Sequence, residues 1–430
     1  MQGSSNRSWP AVMLALGLAA VPVAAPAAGP FGAGFRAFTP DDRAVVGVYV
    51  PNWEPTSATL DKLQPGSVTH ALYAFLRICG PGQLPKDQAA CAGRQDFQLA
   101  TGATEKAYDA AFTALKRARL PGLKVVASVG GWGGSDPFFH FANDAARRAV
   151  FVASAVDFLR AHPGFDGIDI DWEHPTSNGS ANGVPLGAPE DGQGYADLMG
   201  DLRRAVDALG AETGRRYLVT TAVNTTDAIV RKIQWRAAAP LLDLVFMMTY
   251  DFFGGWSAGV GHHAALRDSR PGANDSLAGA VAALTELGVP ASKLVAGVAM
   301  YGRGFEGVQR ARGQVSFTGA AKSGPFPAGE GTLTYREIAA LYLDGKGRGK
   351  GGFRVVFDPV TQGYALWDPA GRRYLAYDDP RAVLAKGRFA RQQRLAGVFA
   401  WELSQDNGDL LDAMNRGVGK APAPAGAAAK

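Results

Sequence analysis

Residues Phe165–Glu173 read FDGIDIDWE, in which acidic and apolar side chains alternate over the length of a β-strand. Successive side chains of a strand point to opposite faces, so Asp169, Asp171 and Glu173 share one face and the apolar side chains between them share the other. Each residue advances a strand by about 3.3 Å, which sets neighbouring acids about 6.6 Å apart along the chain. The segment therefore predicts a strand with one apolar face and a row of three acids on the other.

This row of acids points to proton-transfer chemistry. Like charges confined to one face do not all ionise readily, so at least one carboxyl is expected to retain or share a proton near neutral pH. An acid that stays protonated beside carboxylates is what cleavage of a glycosidic bond requires. One alternative is an exposed acidic strand, which the apolar opposite face and the preceding Gly167 disfavour. Another is a Mg²⁺ or Ca²⁺ site built from oxygen ligands. We interpret the segment as an acid–base site that needs no metal and no cofactor.

Apolar runs of strand length recur on both sides of this segment and alternate with helical patterns. The predicted strands are Val45–Val50, Thr69–Phe75, Lys124–Val129, Phe165–Trp172, Tyr217–Val223, Leu244–Tyr250, Leu294–Tyr301 and Leu395–Trp401. Helical periodicity lies between them, in Thr104–Leu120, Ala145–Ala161, Tyr195–Leu209, Ala228–Ala239 and Ser276–Leu287. Strands that alternate with helices predict an α/β fold with a parallel sheet, and eight such strands suit a closed (β/α)8 TIM barrel.

One long interval interrupts the alternation between strand 7 and strand 8. It contains a predicted helix and three strand-like segments: Tyr335–Leu343, Phe353–Phe357, Tyr364–Trp367 and Arg373–Tyr377. We predict a small α+β insertion over residues 303–378. Because active sites of these barrels lie at the carboxyl ends of the strands, the insertion would form one wall of the cleft.

The ends of the chain differ from its body. Residues 1–28 resemble a secretory signal peptide, with Arg7, the apolar run Ala11–Val23 and then small residues. The run is shorter than the roughly 20 residues that span a membrane, so it is not expected to anchor the chain in one. No membrane association is expected after the signal peptide is removed. Residues 40–416 are the predicted catalytic barrel, and residues 417–430 are a predicted disordered Ala/Pro tail. We expect a secreted protein.

Composition narrows the possible partners. The chain has 430 residues, and its 44 basic and 39 acidic side chains are interspersed, so a net charge of +5 does not indicate nucleic acid binding. We expect a monomer. Cys79 and Cys91 flank a loop rich in Pro and Gly, and an oxidising compartment permits a local disulfide between them. Two free thiols are the alternative.

The spacing DxxDxDxE, from Asp166 to Glu173, resembles the signature of glycoside hydrolase family 18, the chitinase family. Four further segments resemble motifs of that family, in the family's order: Ser128–Trp132 (SVGGW), Met248–Asp251 (MTYD), Met300–Arg303 (MYGR) and Trp401. The insertion is similar to that of chitinases with a deep cleft. The resemblance covers nearly the whole chain after the signal segment.

The resemblance implies a retaining mechanism without an enzyme nucleophile, in which the substrate's 2-acetamido carbonyl attacks C1. It implies that Glu173 protonates the glycosidic oxygen and later activates water. Asp171 would hold the acetamido N–H and offset the developing positive charge. Asp169 would share a proton with Asp171 and set its orientation. Tyr250 would bond the acetamido oxygen, with Asp251 supporting the sugar nearby.

A substrate-binding set follows from the resemblance and from aromatic residues at predicted strand ends, because sugar rings stack on such side chains. The predicted set is Trp401 (the floor of the central subsite), Met248, Tyr49, Gly130, Gly131, Trp132, Trp256, Tyr301 and Arg303, and Trp53 is a further aromatic at a strand end. The alternative for the aromatic members is core packing. The two glycines are expected to let the backbone approach the substrate. Asp166, Gly167 and Ser128 are assigned structural roles, and His262 and His263 are expected in a solvated loop.

These observations predict a secreted chitinase that binds chitin or chito-oligosaccharides and hydrolyses β-1,4 linkages between N-acetylglucosamine units. One alternative is an endo-β-N-acetylglucosaminidase acting on glycans or peptidoglycan, which an insertion that deepens the cleft for linear chains disfavours. The other is a non-catalytic chitin-binding lectin of the same fold, which the presence of Glu173 disfavours.

Overall fold

The computed structural model describes residues 31–32, 34–308, 326–327, 329 and 331–424, so the predicted signal segment lies outside the described residues. Within them the strands are β1 Val45–Pro51, β2 His70–Ile78, β3 Leu99–Ala100, β4 Lys124–Gly130, β5 Gly167–Asp171, β6 Leu218–Asn224, β7 Leu244–Met248, β8 Leu294–Ala299, β9 Tyr301–Phe305, β10 Thr332–Thr334, β11 Arg354–Asp358, β12 Gly363–Asp368, β13 Arg373–Tyr377 and β14 Gly397–Trp401. The α-helices are α1 Thr56–Leu60, α2 Gln88–Cys91, α3 Ala103–Ala118, α4 Phe138–Phe141, α5 Ala145–Ala161, α6 Asp191–Thr213, α7 Asp227–Val230, α8 Trp235–Ala238, α9 Leu277–Glu286, α10 Tyr335–Tyr342, α11 Pro380–Gln392 and α12 Asp409–Gly417. Nowhere in these ranges is a helix both long and apolar enough to cross a membrane.

Eight parallel strands close into a barrel, as predicted. Their order is β1, β2, β4, β5, β6, β7, β8 and β14, and β14 pairs back with β1, for example at Val398 and Val46. Each of the eight predicted strand segments contributes one of these strands. The fold is therefore a (β/α)8 barrel, and the row of acids lies on its fourth strand, β5.

Strand alternation divides the apolar side chains into two cores. One set fills the barrel interior and includes Leu72, Phe246 and Phe399. The other set, which includes Ile168 and Ile170, packs outward between the sheet and its helices. The acids of β5 alternate with this outward set, so they point into the barrel.

Several helices begin at side-chain caps that the sequence supplies. Asp144 accepts the backbone N–H groups of Ala146 and Arg147 at the start of α5. Ser276 caps α9, and Thr334 forms a capping box with Glu337 at the start of α10. Such caps satisfy N–H groups that have no partner within the helix, and they fix where the covering helices begin.

The described part of the insertion between the seventh and eighth barrel strands is a five-stranded antiparallel sheet with one helix, which confirms the predicted α+β unit. Its strand order is β10, β9, β13, β12 and β11, and α10 follows β10. Strand β9 begins at Tyr301, two residues after barrel strand β8 ends. The sheet therefore continues directly from the carboxyl end of the barrel.

A buried ion pair anchors the return of the insertion to the barrel. Lys386 of α11 donates to Asp378, the residue after β13, over 2.7 Å, and both side chains are inaccessible to solvent. The same carboxylate oxygen accepts the backbone N–H of Ala299 at the end of β8. The pair thus joins the insertion, its following helix and the seventh barrel strand.

Two sequence predictions need correction. The helix predicted over Ala228–Ala239 is two short helices, α7 and α8, because Trp235 turns inward and its indole N–H donates to the carbonyl of Val230. The start of the predicted disordered tail is ordered: Ala421 and Ala423 form backbone hydrogen bonds with the segment around Phe38. Residues 425–430 lie outside the described part of the chain. The disulfide between Cys79 and Cys91 is formed, as predicted.

Candidate active site

Asp169 lies at the centre of the barrel and is held by three strands. It accepts hydrogen bonds from Ser128 of β4 (2.8 Å), Thr220 of β6 (2.6 Å) and Tyr49 of β1 (3.2 Å). The strand register aligns Ser128, Asp169 and Thr220 at one level of the barrel. Burial raises the pKa of Asp169 to about 6, although the three hydrogen bonds act to lower it.

Asp171 and Glu173 form a coupled pair above Asp169. Burial, followed by the charges of Glu173 and Asp169, raises the pKa of Asp171 well above its usual value. Oδ1 of Asp171 has no hydrogen-bond partner among the described residues. Burial and the nearby charge of Asp251 raise the pKa of Glu173 to about 8. At least one proton therefore stays on the pair near neutral pH.

Contacts between the backbone of Glu173 and the side chain of Ser135 hold Glu173 at the cleft. The backbone N–H of Glu173 donates to the hydroxyl of Ser135 (3.1 Å), and that hydroxyl lies 3.3 Å from the carbonyl oxygen of Glu173. The Glu173 side chain is 15% exposed, and its Oε2 lies 3.9 Å from Nε2 of His174. Glu173 is thus fixed at its backbone while its carboxyl reaches solvent.

Tyr250 and Asp251 follow β7 on the opposite side of the site. Asp251 has a φ of 61°, a left-handed conformation that is uncommon outside glycine. Arg303 of β9 donates to both of its carboxylate oxygens at 2.9 Å, and Nδ1 of the buried His263 lies 3.6 Å away. Burial acts to raise the pKa of Asp251, but the nearby His263 and the hydrogen bonds and charge of Arg303 outweigh it and hold the pKa well below the usual range. Asp251 is therefore a fixed negative charge facing the acid pair.

Aromatic side chains line the floor and rim of the cleft. Trp401, at the end of β14, stacks on Phe75, with ring centroids 5.6 Å apart. Trp53, Trp132 and Trp256 are 54%, 60% and 62% exposed. Large aromatic side chains are rarely left this accessible, so two of them just past barrel strands and a third in the loop after β7 suit a surface that stacks on a ligand.

The other residues predicted to bind substrate lie at the carboxyl end of the barrel, at different depths. Tyr49 is buried and contacts Asp169, and Tyr301 is buried beside Tyr250. Met248 is half-buried and packs against the interior core. The guanidinium of Arg303 lies 4.9 Å from the ring of Trp256, so Arg303 joins the insertion to the rim of the cleft. Direct contact of these side chains with a sugar stays a prediction.

The two glycines of the SVGGW segment are required by the protein's own packing. Gly130 has a φ of 112°, and a Cβ there would lie 2.2 Å from the carbonyl oxygen of Asp171. Gly131 has a φ of 80°, and a Cβ there would lie 2.6 Å from the ring of Phe75. Their predicted role in substrate approach stays a prediction, because these contacts alone account for glycine.

Asp166 and Gly167 lie at the opposite end of β5 from Glu173. Asp166 accepts hydrogen bonds from Lys116, from Arg215 and from the backbone N–H of Val125. A Cβ at Gly167 would lie 2.2 Å from the carbonyl oxygen of Leu218. Both residues therefore contact protein groups that set the position of the strand.

Sequence reasoning missed several neighbours of the site. Thr220 lay within a predicted strand, but the register that pairs it with Asp169 is not readable from one sequence. Ser135 gave no signal, and Phe75, an aromatic residue at the end of a predicted strand, was not included in the predicted set. The expectation that His262 and His263 are solvated is wrong: both are buried, and His262 donates to the carbonyl of Tyr364 in the insertion (2.8 Å). The insertion and the loop after β7 together bury the two histidines.

The site offers a proton donor, two further buried carboxyls and a fixed charge at the bottom of an aromatic-lined cleft. Within the described ranges no group of three or more His, Cys, Asp or Glu side chains is arranged to hold a metal ion. A protonated acid at pKa about 8 can give its proton to a leaving group and then act as a base. The geometry thus provides acid–base chemistry on a ligand with apolar ring faces.

Comparison with known proteins shows which family this chain matches. Residues 45–406 match the family described as Glycosyl hydrolases family 18. Chitinase A of Pseudoalteromonas piscicida is 35% identical over 87% of this chain and 52% of its own length, so this chain spans about half of that protein. The probable endochitinase of Orgyia pseudotsugata multicapsid polyhedrosis virus is 36% identical over 84% of this chain and 69% of its own. The solved structure of a family 18 chitinase from Cycas revoluta with (GlcNAc)3 superposes with a TM-score of 0.70 and 26% identity, covering 87% of this chain and 100% of that one.

Proposed function

Because the chain belongs to the glycosyl hydrolases family 18, we propose that it is a chitinase that hydrolyses β-1,4 linkages between N-acetylglucosamine units with retention at C1. The observation that carries the proposal is Glu173, a cleft carboxyl whose pKa is raised to about 8 by burial and by the charge of Asp251. It is protonated at neutral pH and reaches solvent at the end of the fourth barrel strand, where barrel enzymes hold their catalytic groups.

In the first step the proton of Glu173 passes to the glycosidic oxygen as the bond from that oxygen to C1 breaks. The carbonyl oxygen of the substrate's own 2-acetamido group forms the new bond to C1, which gives a cyclic oxazolinium-type intermediate. Asp171 accepts the acetamido N–H, and its unpartnered buried Oδ1 is suited to that role. The hydroxyl of Tyr250 donates to the acetamido oxygen and fixes its approach to C1.

In the second step water attacks C1 from the face that the leaving sugar vacated. Glu173, now a carboxylate, takes a proton from that water, the acetamido oxygen leaves C1, and the product keeps the β configuration. Asp169, beneath Asp171, is mainly charged at neutral pH, because hydrogen bonds from three strands limit the rise of its pKa to about 6. It thereby offsets the positive charge of the intermediate.

Aromatic residues of the cleft supply binding along the chain of sugars. Trp401 forms the floor, and the exposed Trp53, Trp132 and Trp256 offer stacking faces at the rim. The Cycas revoluta chitinase was solved with (GlcNAc)3, which supports an oligosaccharide as the ligand here. Chitin or chito-oligosaccharide is the proposed substrate of a monomeric enzyme.

Export is part of the proposal. The signal-like segment at residues 1–28 directs the chain out of the cytoplasm, and the disulfide between Cys79 and Cys91 supports an oxidising destination.

The test is product analysis of the purified protein on chitin hexasaccharide, with cellohexaose as the matched substrate that lacks acetamido groups. We expect cleavage of the first only. In Glu173→Gln, turnover should fall by at least about 100-fold while binding to chitin is kept, because the amide keeps the shape but cannot give a proton.

Two other outcomes would each identify one of the alternative functions. Saturable chitin binding without cleavage, unchanged in Glu173→Gln, would identify a lectin. Release of glycans from glycoprotein, or of fragments from peptidoglycan, with chitin hexasaccharide left intact would identify an endo-β-N-acetylglucosaminidase. Both results contradict the proposed function.

A further inference from the structure

His174 is a buried histidine directly after Glu173, and the steps above give it no role. It is 6% exposed, and its Nε2 lies 3.9 Å from Oε2 of Glu173. Its Nδ1 is buried with no hydrogen-bond partner in the described part of the chain. The ring centroid lies 6.3 Å from that of Trp132, so the imidazole sits between the acid and the rim of the cleft.

The position of this imidazole is fixed by the loop that carries it. The backbone N–H of His174 donates to the carbonyl of Ser177, and the N–H of Ser177 donates back to the carbonyl of His174. Asn178 then bonds Asp136 of the neighbouring loop at 3.0 Å. These bonds tie the start of the loop after β5 to the loop after β4, and they hold the ring beside Glu173.

Glu173 is the ionisable group that lies near the His174 ring, 3.9 Å from Nε2, and the nearby acids have other partners. Asp136 is occupied by the side-chain amides of Asn178 and Asn182. Asp191, at the start of α6, accepts the side-chain amide of Asn143 and two backbone N–H groups. Burial lowers the pKa of His174 to about 4, so the ring is neutral wherever Glu173 titrates.

The tautomer follows from the unpartnered Nδ1. A buried N–H without a partner is rarer in proteins than an under-satisfied acceptor, so the single ring proton belongs on Nε2. Nε2 is the ring nitrogen that lies 3.9 Å from Oε2 of Glu173. The gap of 3.9 Å exceeds hydrogen-bond length. A charged carboxylate draws an N–H donor closer than a protonated carboxyl does, whether or not substrate is bound, because hydrogen bonds to charged groups are shorter and stronger.

We propose that His174 is a positioning residue for Glu173: its Nε2–H donates to the carboxylate that forms when Glu173 has given its proton to the leaving sugar. This inference rests on the proposed function and adds a residue to it. The bond stabilises the charged form and limits rotation of the carboxyl, so the base that must receive the water proton stays aimed at C1.

The test compares His174→Phe, which keeps a flat ring but no donor, with His174→Gln, whose amide N–H can occupy the place of Nε2. Removing a donor to the charged form raises the pKa of an acid. His174→Phe should therefore move the alkaline limb of the kcat/KM profile up by about 0.5 to 1 pH unit and lower kcat about 10-fold. His174→Gln should restore both, and His140→Gln on helix α4 is the matched control that should change neither.

Two results would overturn the proposal. If the alkaline limb does not move in a folded His174→Phe protein, His174 only fills space beside Glu173. If KM rises while kcat is unchanged, His174 holds Trp132 in place for substrate binding. Titration of the Glu173 carboxyl by ¹³C NMR, assigned with Glu173→Gln, reads the same pKa without turnover. The inference is thus tested even if the wild-type protein fails to cleave chitin, and that failure counts against the proposed function alone.

Discussion

At the scale of single residues, neighbouring carboxyls of one strand have opposite surroundings. Asp169 accepts three hydrogen bonds, whereas Oδ1 of Asp171, two residues further on, has no partner within the described ranges. Hydrogen bonds to the charged form favour a carboxylate, and burial without them favours the acid. The difference lets one carboxyl stay charged while the next retains a proton, although both belong to the same strand face.

Removing one of the donors to Asp169 should weaken catalysis through this charge. Thr220→Val keeps the shape of the side chain but deletes a hydrogen bond of 2.6 Å, which raises the pKa of Asp169. We expect a loss in kcat/KM of about 10-fold and an acid limb shifted to higher pH. In the control Thr213→Val, the lost hydroxyl bonds the carbonyl of Leu209 on α6, and the profile should stay unchanged. An acid limb that does not move in Thr220→Val would contradict the role of Asp169.

The pH dependence of activity follows from the surroundings of two carboxyls, those of Asp169 and Glu173. Glu173 must hold its proton to act as the acid, so kcat/KM should fall above about pH 8. Asp169 must hold its charge, so kcat/KM should fall below about pH 6. Because the carboxyls are coupled, the two limbs belong to the group rather than to single residues. Initial rates on chitin hexasaccharide across this range measure the profile, and a flat profile would contradict the coupled group.

At the scale of elements, the strand that carries the acids was easier to predict from the sequence than the contacts between distant segments. The alternation in Phe165–Glu173 was readable because neighbouring side chains on a strand must face opposite ways. The insertion was readable from the break in the strand–helix rhythm. The burial of His262 and the partners of Asp169 were not readable, because they depend on which distant segments come together. A single sequence carries local pattern but not register between strands.

The ion pair between Lys386 and Asp378 is an element-scale feature whose removal should be costly. Lys386→Met leaves the carboxylate of Asp378 buried without its cation, and the expected loss in the free energy of unfolding is about 3–5 kcal/mol. The double variant Lys386→Met/Asp378→Asn removes the charge as well and should recover much of that loss.

Urea unfolding measures both variants, with the exposed Arg388→Met on the same helix as the control for loss of a cation. A single variant as stable as the control would contradict the anchoring role of the pair.

At the scale of the whole molecule, the site exists only when the barrel is closed and the insertion is docked. Asp169 is held by residues from three strands far apart in sequence, and Asp251 is clamped by Arg303 from the insertion. Burial of the acids at the centre of the closed barrel is the first cause of their raised pKa values. Fold and proton chemistry are therefore linked: the barrel that gives stability also keeps the catalytic acid protonated.

The measurement that tests the central claim most directly is the anomeric form of the first products, followed by ¹H NMR during cleavage of chitin hexasaccharide. Fully de-N-acetylated hexasaccharide is the matched substrate, since it lacks the acetamido nucleophile. The proposed mechanism predicts β-anomer first from the acetylated substrate and no cleavage of the other. An α-anomer as first product, or equal cleavage of both substrates, would contradict it.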